Sequence, residues 1–362
     1  MYILIINLRR KAILFLLRRN TSLPDKKYFF ITMAISMEDI KKLRAMTGAG
    51  LADVKKALTE AEGDMDKAKE ILRQRGQAIA AKRADRETSN GCVLAKVGDG
   101  FAAIIALKCE TDFVANGADY IKLTQDIIDA AVAAKAKSIE EVSALKLANG
   151  LSVAEAVTER SGVTGEKMEL DGYNYLEGEN IDAYNHMNRN GLCTLVQTNI
   201  PAPEAAHAVA MQVAAMKPIA LDEKSVPQSI IDEEYNVAVE KSKQEQVQKA
   251  VEAALKKAGI NPAHVDSEDH MESNMGKGWI TAEDVAKAKE IIATVSEEKA
   301  KSLNMNMIEN IAKGRVNKFY KESCLLNQEF IQDSKVSVSQ YLKSVNSDLT
   351  VVAFKRFTLQ AD

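Results

Sequence analysis

The sequence predicts an α+β fold, and three observations carry that prediction. Twice, a pair of short apolar runs joined by a Gly/Asn/Asp turn is followed at once by a helical pattern. Ahead of the first pair lie three short amphipathic segments punctuated by glycines. After the second pair come two long, charged, Ala-rich runs, and then a strand-like segment close to the end. The expected organisation is an N-terminal three-helix module, a two-part α+β core built on hairpin-then-helix units, and an inserted long helical hairpin. Its boundaries are expected at 1–35 for an extension, 36–88 for the module and 89–178 for the first core subdomain. The second subdomain is expected at 179–225 plus 320–362, and the inserted hairpin at 226–319.

Residues 1–32 hold seven Lys/Arg against one acid, Asp25. Their longest apolar run, Ala12–Leu17, is too short to span a membrane. The composition admits an organelle-import segment. The alternative is an upstream extension without a fold of its own, because Ser36 and Asp39 offer a capping box just after Met33. The rest of the chain carries 41 basic against 50 acidic residues. The body is therefore expected to be a poor nucleic-acid binder overall, since phosphate contacts need a basic surface, and a binding mode confined to one basic face stays open. Cys92, Cys109, Cys193 and Cys324 are scattered without a CxxC pair, which fits a reducing, cytoplasmic setting and points to no thiolate metal site.

In the module, Ile40, Leu43 and Met46 form one apolar stripe, closed by Gly48. Leu51, Val54, Ala57 and Leu58 form a second, closed by Gly63, and Met65, Ala68, Ile71 and Leu72 a third. Ala78–Arg86 is expected as a basic linker. Gly91–Val97 and Phe101–Leu107 form a hairpin around Gly98–Gly100, and a helix follows at 118–135 with Ile121, Leu123, Ile127, Ile128 and Val132 inward. Ser138–Glu169 is expected to be partly helical, over Val153–Arg160. Asn180–Met187 and Leu192–Thr198 form the second hairpin, with a helix at 203–216. The long runs are Ser229–Ala258 and Ala282–Lys313, the second opened by Thr281 and Asp284. Val336–Val345 is expected as a helix and Leu349–Leu359 as a strand returning to a sheet.

Everything else is arranged around the turn Glu110–Asn116, where an acid and a large aromatic stand side by side. The local pattern favours a bland role in which Phe113 tucks back as a staple and Asp112 caps the next helix. Elsewhere, Ala263–Gly278 gathers His264, Asp266, Glu268, Asp269, His270 and Glu272. Without paired His spacing on a helix, a solvated charged loop is preferred over a metal site. His207 is expected to be a structural or surface residue, and His186 to make either a polar contact or a structural one. No Ser/His/Asp triad, P-loop lysine or GxGxxG is present, so no residue is assigned a catalytic role and no cofactor is expected.

Four segments then converge on one family. Leu43–Leu51 (LRAMTGAGL), Asp53–Leu58 (DVKKAL), Gly63-Asp64 and Glu110–Val114 (ETDFV) resemble elongation factor Ts in order and spacing. Weaker echoes follow in Tyr184–His186, Lys217-Pro218, Gly314-Arg315 and Phe354–Phe357. The resemblance covers residues 37–359. It implies a ubiquitin-associated-like fold for the three-helix module, and guanine-nucleotide exchange on elongation factor Tu in its GDP-bound and nucleotide-free states. It implies an act of binding rather than a reaction, with no direct nucleic-acid or membrane contact.

By the same resemblance, Asp112 and Phe113 are the exchange element, and Thr111 and Val114 beside them bind the partner. Lys41, Arg44, Leu51 and Lys55 contact the partner's nucleotide domain, Arg83 stands where a lysine is common, and Gly165 and His186 lie beside the exchange element. Ile331 would touch another domain of the partner. The chain departs from the family pattern at Gln332, in place of an apolar contact, and at Leu51-Ala52, in place of a Met pair. Residues 242–305 lengthen the inserted hairpin. Two other function classes compete: an adaptor in which Phe113 is core, and a metalloenzyme built on His264 and His270.

Overall fold

The computed structural model describes residues 35–360. The extension expected over 1–35 therefore lies outside the described residues, apart from its last position. The chain divides into two compact units, one ending at Ala78 and the other beginning at Ile79.

In the first unit, helix α1 (Met37–Thr47) opens on Ser36, whose Oγ accepts the Asp39 N–H at 3.0 Å. It closes on Gly48 at φ 67°, a left-handed position that suits glycine. Helices α2 (Leu51–Glu60) and α3 (Met65–Ala81) follow. Ile40, Leu43, Val54, Ala57, Leu58 and Ala68 form the core. Two residues expected on the apolar stripes face solvent instead, Met46 and Leu51. Thr47, four residues after Leu43, takes the inward place and its Oγ donates to the Leu43 carbonyl at 2.8 Å. The expected linker at Ala78–Arg86 is also corrected: α3 runs on past Gly76 to Ala81, since no further Gly or Pro occurs over residues 78–81, and the turn begins only there.

The second unit begins with β1 (Asn90–Gly98) and β2 (Phe101–Cys109), joined through Asp99-Gly100 with Gly100 at φ 63°. Then come the short α4 (Asp112–Ala115), α5 (Ala118–Ala134), α6 (Ile139–Ala144), α7 (Val153–Thr164) and β3 (Met168–Glu177). The second half opens with β4 (Ile181–Asn185), β5 (Leu192–Thr198) and α8 (Pro203–Met216). The inserted helices are α9 (Gln228–Lys257), α10 (Glu268–Gly276), α11 (Ala282–Lys301) and α12 (Met305–Ser323). The chain ends with β6 (Glu329–Phe330), β7 (Asp333–Ser337), α13 (Val338–Val345) and β8 (Val351–Thr358).

Two antiparallel sheets, ordered β1-β2-β3 and β4-β5-β8, pack face to face. The two faces of β2 divide its residues by parity. Ala102, Ile104 and Ala106 meet Cys193, Leu195 and Phe357 of the other sheet, while Phe101, Ala103, Ile105 and Leu107 meet α5. The outer face of the second sheet is covered by α8 and α13. The result is four layers, helix–sheet–sheet–helix, an α+β architecture in which hairpin-then-helix occurs twice. The late strand returns to its sheet as expected, Val196 pairing with Phe354.

Several expectations need correction. β3 has no counterpart in the sequence reading. A bulge opposite Ala106/Leu107 flips its parity, so Met168 and Leu170 before it and Tyr173 and Tyr175 after it share one face. The helix expected at Val336 starts at Val338, because Val336 belongs to β7, whose Ser337 pairs with Glu329 of β6 and makes the capping box with Gln340. The second long run is two helices, broken where Asn304 caps α12. The charged loop expected at Ala263–Gly278 is folded. Ser267 caps α10, and Val265 and Met271 join Leu255, Ile260 and Ile280 in a separate small core at the tip. Among the described residues, no helix is long and apolar enough to cross a membrane.

Candidate partner-binding site

The turn after β2 is held on both sides while its apolar side chain stands free. Thr111 is extended (φ −122°, ψ 153°) and its Oγ accepts the Val114 N–H, which starts the four-residue α4. Asn116 closes it, its Nδ2 donating to the Asp112 carbonyl at 2.8 Å. Within one such turn, successive side chains are rotated by about 100°. Val114 and Ala115 therefore face the first core, and Phe113 faces solvent at 87% exposure. The locally favoured staple is overturned, because the inward places of this single turn are already filled by its next two residues. Burying a Phe is worth about 1.5–3 kcal/mol, and the fold forgoes that gain here. The Asp112 carboxylate is exposed beside it and makes no ion pair among the described residues.

Two carboxylates pin the base of this turn. Glu166 accepts both the Thr111 N–H, at 3.1 Å, and the Thr111 hydroxyl, at 2.6 Å. Glu110 accepts the Lys167 N–H at 2.6 Å, Arg83 Nη1 at 3.2 Å and Arg86 Nη1 at 2.8 Å. The Lys167 backbone N–H, aided by the two guanidinium groups, holds the Glu110 carboxyl down at about 2, well below its usual 4.5. On the other side, Asn90 Nδ2 donates to the Glu110 carbonyl at 3.0 Å. Arg83 is thus a clamp on the turn. Gly165 is the left-handed cap of α7, at φ 72°, where an added Cβ would come within 3.8 Å of the Arg83 guanidinium.

His186 follows β4, its Nδ1 3.2 Å from the Tyr184 hydroxyl, and the backbone of its loop is tied to β1 through Val93 N–H and the Asn190 carbonyl at 2.7 Å. Thr111 to Val114, Arg83, Gly165 and His186 are therefore brought to the elements around one end of β1. Ile331 is placed elsewhere in the unit, at the β6–β7 turn, 40% exposed with its N–H donating to Gln212 Oε1 of α8 at 2.8 Å. Lys41, Arg44, Leu51 and Lys55 belong to the first unit, all exposed, and none of the three cations makes an ion pair among the described residues.

The sequence reading missed Glu166, which lies 55 positions from Thr111 and carries no local signal. The metal-site candidates point to separate duties: the His264 ring lies tilted against Trp279 at 5.5 Å, while His270 pairs with Asp266 at 2.5 Å. The buried cysteines are free, and burial pushes the thiols of Cys92 up to about 11 and Cys193 up to about 12. Such thiols stay protonated near neutrality.

The family profile described as Elongation factor TS matches residues 110–261 and 248–361. The chain is 68% identical over 331 residues to an elongation factor Ts of Bacteroides fragilis, covering 91% of this chain and all of that relative. The chain belongs to the elongation factor Ts family. It is also 64% identical over 330 residues to the elongation factor Ts of Phocaeicola vulgatus, and 42% identical over 331 residues to that of Porphyromonas gingivalis. Each of those relatives is covered in full, against 91% of this chain. Both the Glu110–Asn116 turn and the inserted helices fall inside the matched elongation factor Ts region.

Proposed function

We propose that this chain promotes release of GDP from elongation factor Tu during translation elongation, acting by binding rather than by covalent chemistry. Membership of the elongation factor Ts family supports the general activity. The observation that supports the mechanism is Phe113, 87% exposed on a turn fixed by Glu110 and Glu166. In this reading Phe113 inserts between helices of the partner's nucleotide domain, and Asp112 perturbs the region of the partner's bound Mg²⁺. Rigid presentation matters, because a loose turn would lose ordering entropy on binding.

Linkage sets the scale. A factor that weakens GDP binding is itself bound less tightly, by the same ratio, when GDP is present. An effect of 10⁴-fold requires about 5.5 kcal/mol of differential interaction, whereas one buried aromatic anchor supplies about 2–4 kcal/mol. The remainder is assigned to Lys41, Arg44, Leu51 and Lys55 on the first unit and to His186 and Ile331 on the second. Arg83 and Gly165 support the turn itself. The module of α1 to α3 is assigned the ubiquitin-associated-like role of docking on the partner. We place the activity in the cytoplasm, in keeping with four free cysteines, and without nucleic-acid or membrane contact.

The test is release of a fluorescent GDP from the cognate elongation factor Tu, with the wild-type chain and with Phe113→Ala. Acceleration by orders of magnitude that Phe113→Ala largely removes is the expected result. Binding to Tu without acceleration by either protein would replace this reading with the adaptor.

A further inference from the structure

The loop joining β4 and β5 keeps a side chain in a place that stability does not explain. Met187, Asn188 and Asn190 all have φ 54°. Asparagine tolerates the left-handed region because its short amide can bond locally, but methionine has no such compensation. Met187 is also 61% exposed, so no core contact offsets its backbone conformation.

The loop is nevertheless tightly specified. Asn185 Nδ2 donates to Asn190 Oδ1 at 2.7 Å, and the Asn190 N–H donates back to Asn185 Oδ1 at 3.3 Å. The Asn190 carbonyl accepts the Val93 N–H at 2.7 Å, and the Gly191 carbonyl accepts the Leu359 N–H at 3.0 Å. His186 is braced by Tyr184 through its hydroxyl and through an edge-on ring contact at 5.8 Å. A strained residue in a loop whose neighbours are held by so many bonds, with its apolar end in water, fits a binding role better than a packing role.

Its position says for what. Val93 lies three residues along β1 from Asn90, the residue that bonds the Glu110 carbonyl. That separation is about 10 Å of strand, so the Met187 loop and the Phe113 turn are anchored side by side on one element. We propose that Met187 is a second apolar anchor of the exchange surface, seated on the same nucleotide-binding domain as Phe113. This rests on the exchange reading above, and the continuity of the two anchored loops is what commits it to that one partner. A flexible thioether adapts to the irregular surface between side chains of a partner helix, which makes Met187 a contact that sets affinity rather than one that opens the nucleotide site.

Met187→Gly tests this cleanly, because it removes the side chain and relieves the left-handed backbone together. The expected result is a thermal midpoint equal to or above wild type, with GDP release at subsaturating factor slowed about tenfold. Met187→Leu, which keeps the apolar bulk, is expected to recover most of the rate. If wild type accelerates release and Phe113→Ala is impaired while Met187→Gly matches wild type, the second anchor is wrong and the exchange reading stands. If Met187→Gly lowers the thermal midpoint and Met187→Leu recovers neither stability nor rate, Met187 serves the fold and the anchor is again wrong. If wild type itself does not accelerate release, both readings fall together.

Discussion

The turn after β2 and the turn after β5 occupy corresponding places in the two halves of the core, each leading from a hairpin into a covering helix. They treat their apolar residues in opposite ways. Between β5 and α8 the chain uses four residues, 199–202, and Ile200 packs on the second core. Asn199 ties that turn down, donating to the Asp348 carbonyl at 2.7 Å and accepting the Thr350 N–H at 2.8 Å. Between β2 and α5 the chain uses eight residues, 110–117. The extra length holds one additional helical turn, which directs Val114 and Ala115 inward and Phe113 outward. One architecture thus yields a closed corner in one half and a presented aromatic in the other. Exposure of Phe113 is built by the length and capping of this turn and is not a packing defect.

The comparison predicts a crossed pair of phenotypes, and these are the largest effects. Phe113→Ala is expected to slow exchange about 30- to 1000-fold while leaving the thermal midpoint unchanged or slightly raised. Ile200→Ala is expected to do the reverse, costing about 2 kcal/mol in urea unfolding with the exchange rate per folded molecule unaltered. Equal exchange losses in both variants would show that the two turns are not functionally distinct.

A smaller effect is expected at Glu166. Its carboxylate holds both donors of Thr111, so Glu166→Ala leaves Phe113 in place but frees the turn. Exchange is expected to fall about tenfold, and the amides of Thr111 and Val114 to exchange hydrogen faster, since local opening of a clamped loop is what protection measures. Full exchange activity with faster amide exchange would show that rigidity of the turn is dispensable.

What the sequence discloses about these regions depends on how local the determinant is. β2 is legible because Phe101–Leu107 is apolar throughout, as a strand buried on both faces must be. The strand Leu349–Leu359 is legible from its alternation, although its partner lies more than 150 residues away. β3 is hidden because one bulge shifts its alternation midway. The Glu166 clamp is hidden for another reason, since it is a contact between residues that no local pattern links. At Phe113 the local rule gives the opposite of the observed exposure, and only the resemblance across several segments points the other way. Met187 escapes notice because a left-handed methionine has no signature in composition or spacing.

The effect with a defined pH signature belongs to Glu110. Its carboxyl is held at about 2 by the Lys167 N–H, Arg86 and Arg83, against 4.5 in an unperturbed chain. A lowered carboxylate pKa stabilises the folded state above the unfolded value, and that contribution is lost as pH falls through the folded one. Glu110→Gln keeps the shape but removes the charge. It is expected to be less stable than wild type by about 2 kcal/mol near neutrality, the scale of a charge-assisted hydrogen bond. The two proteins are expected to converge between pH 4.5 and pH 2, as the wild-type carboxylate takes up its proton. Urea unfolding at a series of pH values reads this directly. A gap that persists unchanged to pH 2 would mean that the clamp on the Phe113 turn works through shape, and that Arg83 and Arg86 are not needed as charges. Because Asn199 fastens the other turn with an uncharged side chain, Asn199→Ala should show no such pH dependence. That contrast is what separates an electrostatic clamp built for presentation from a neutral one built for closure.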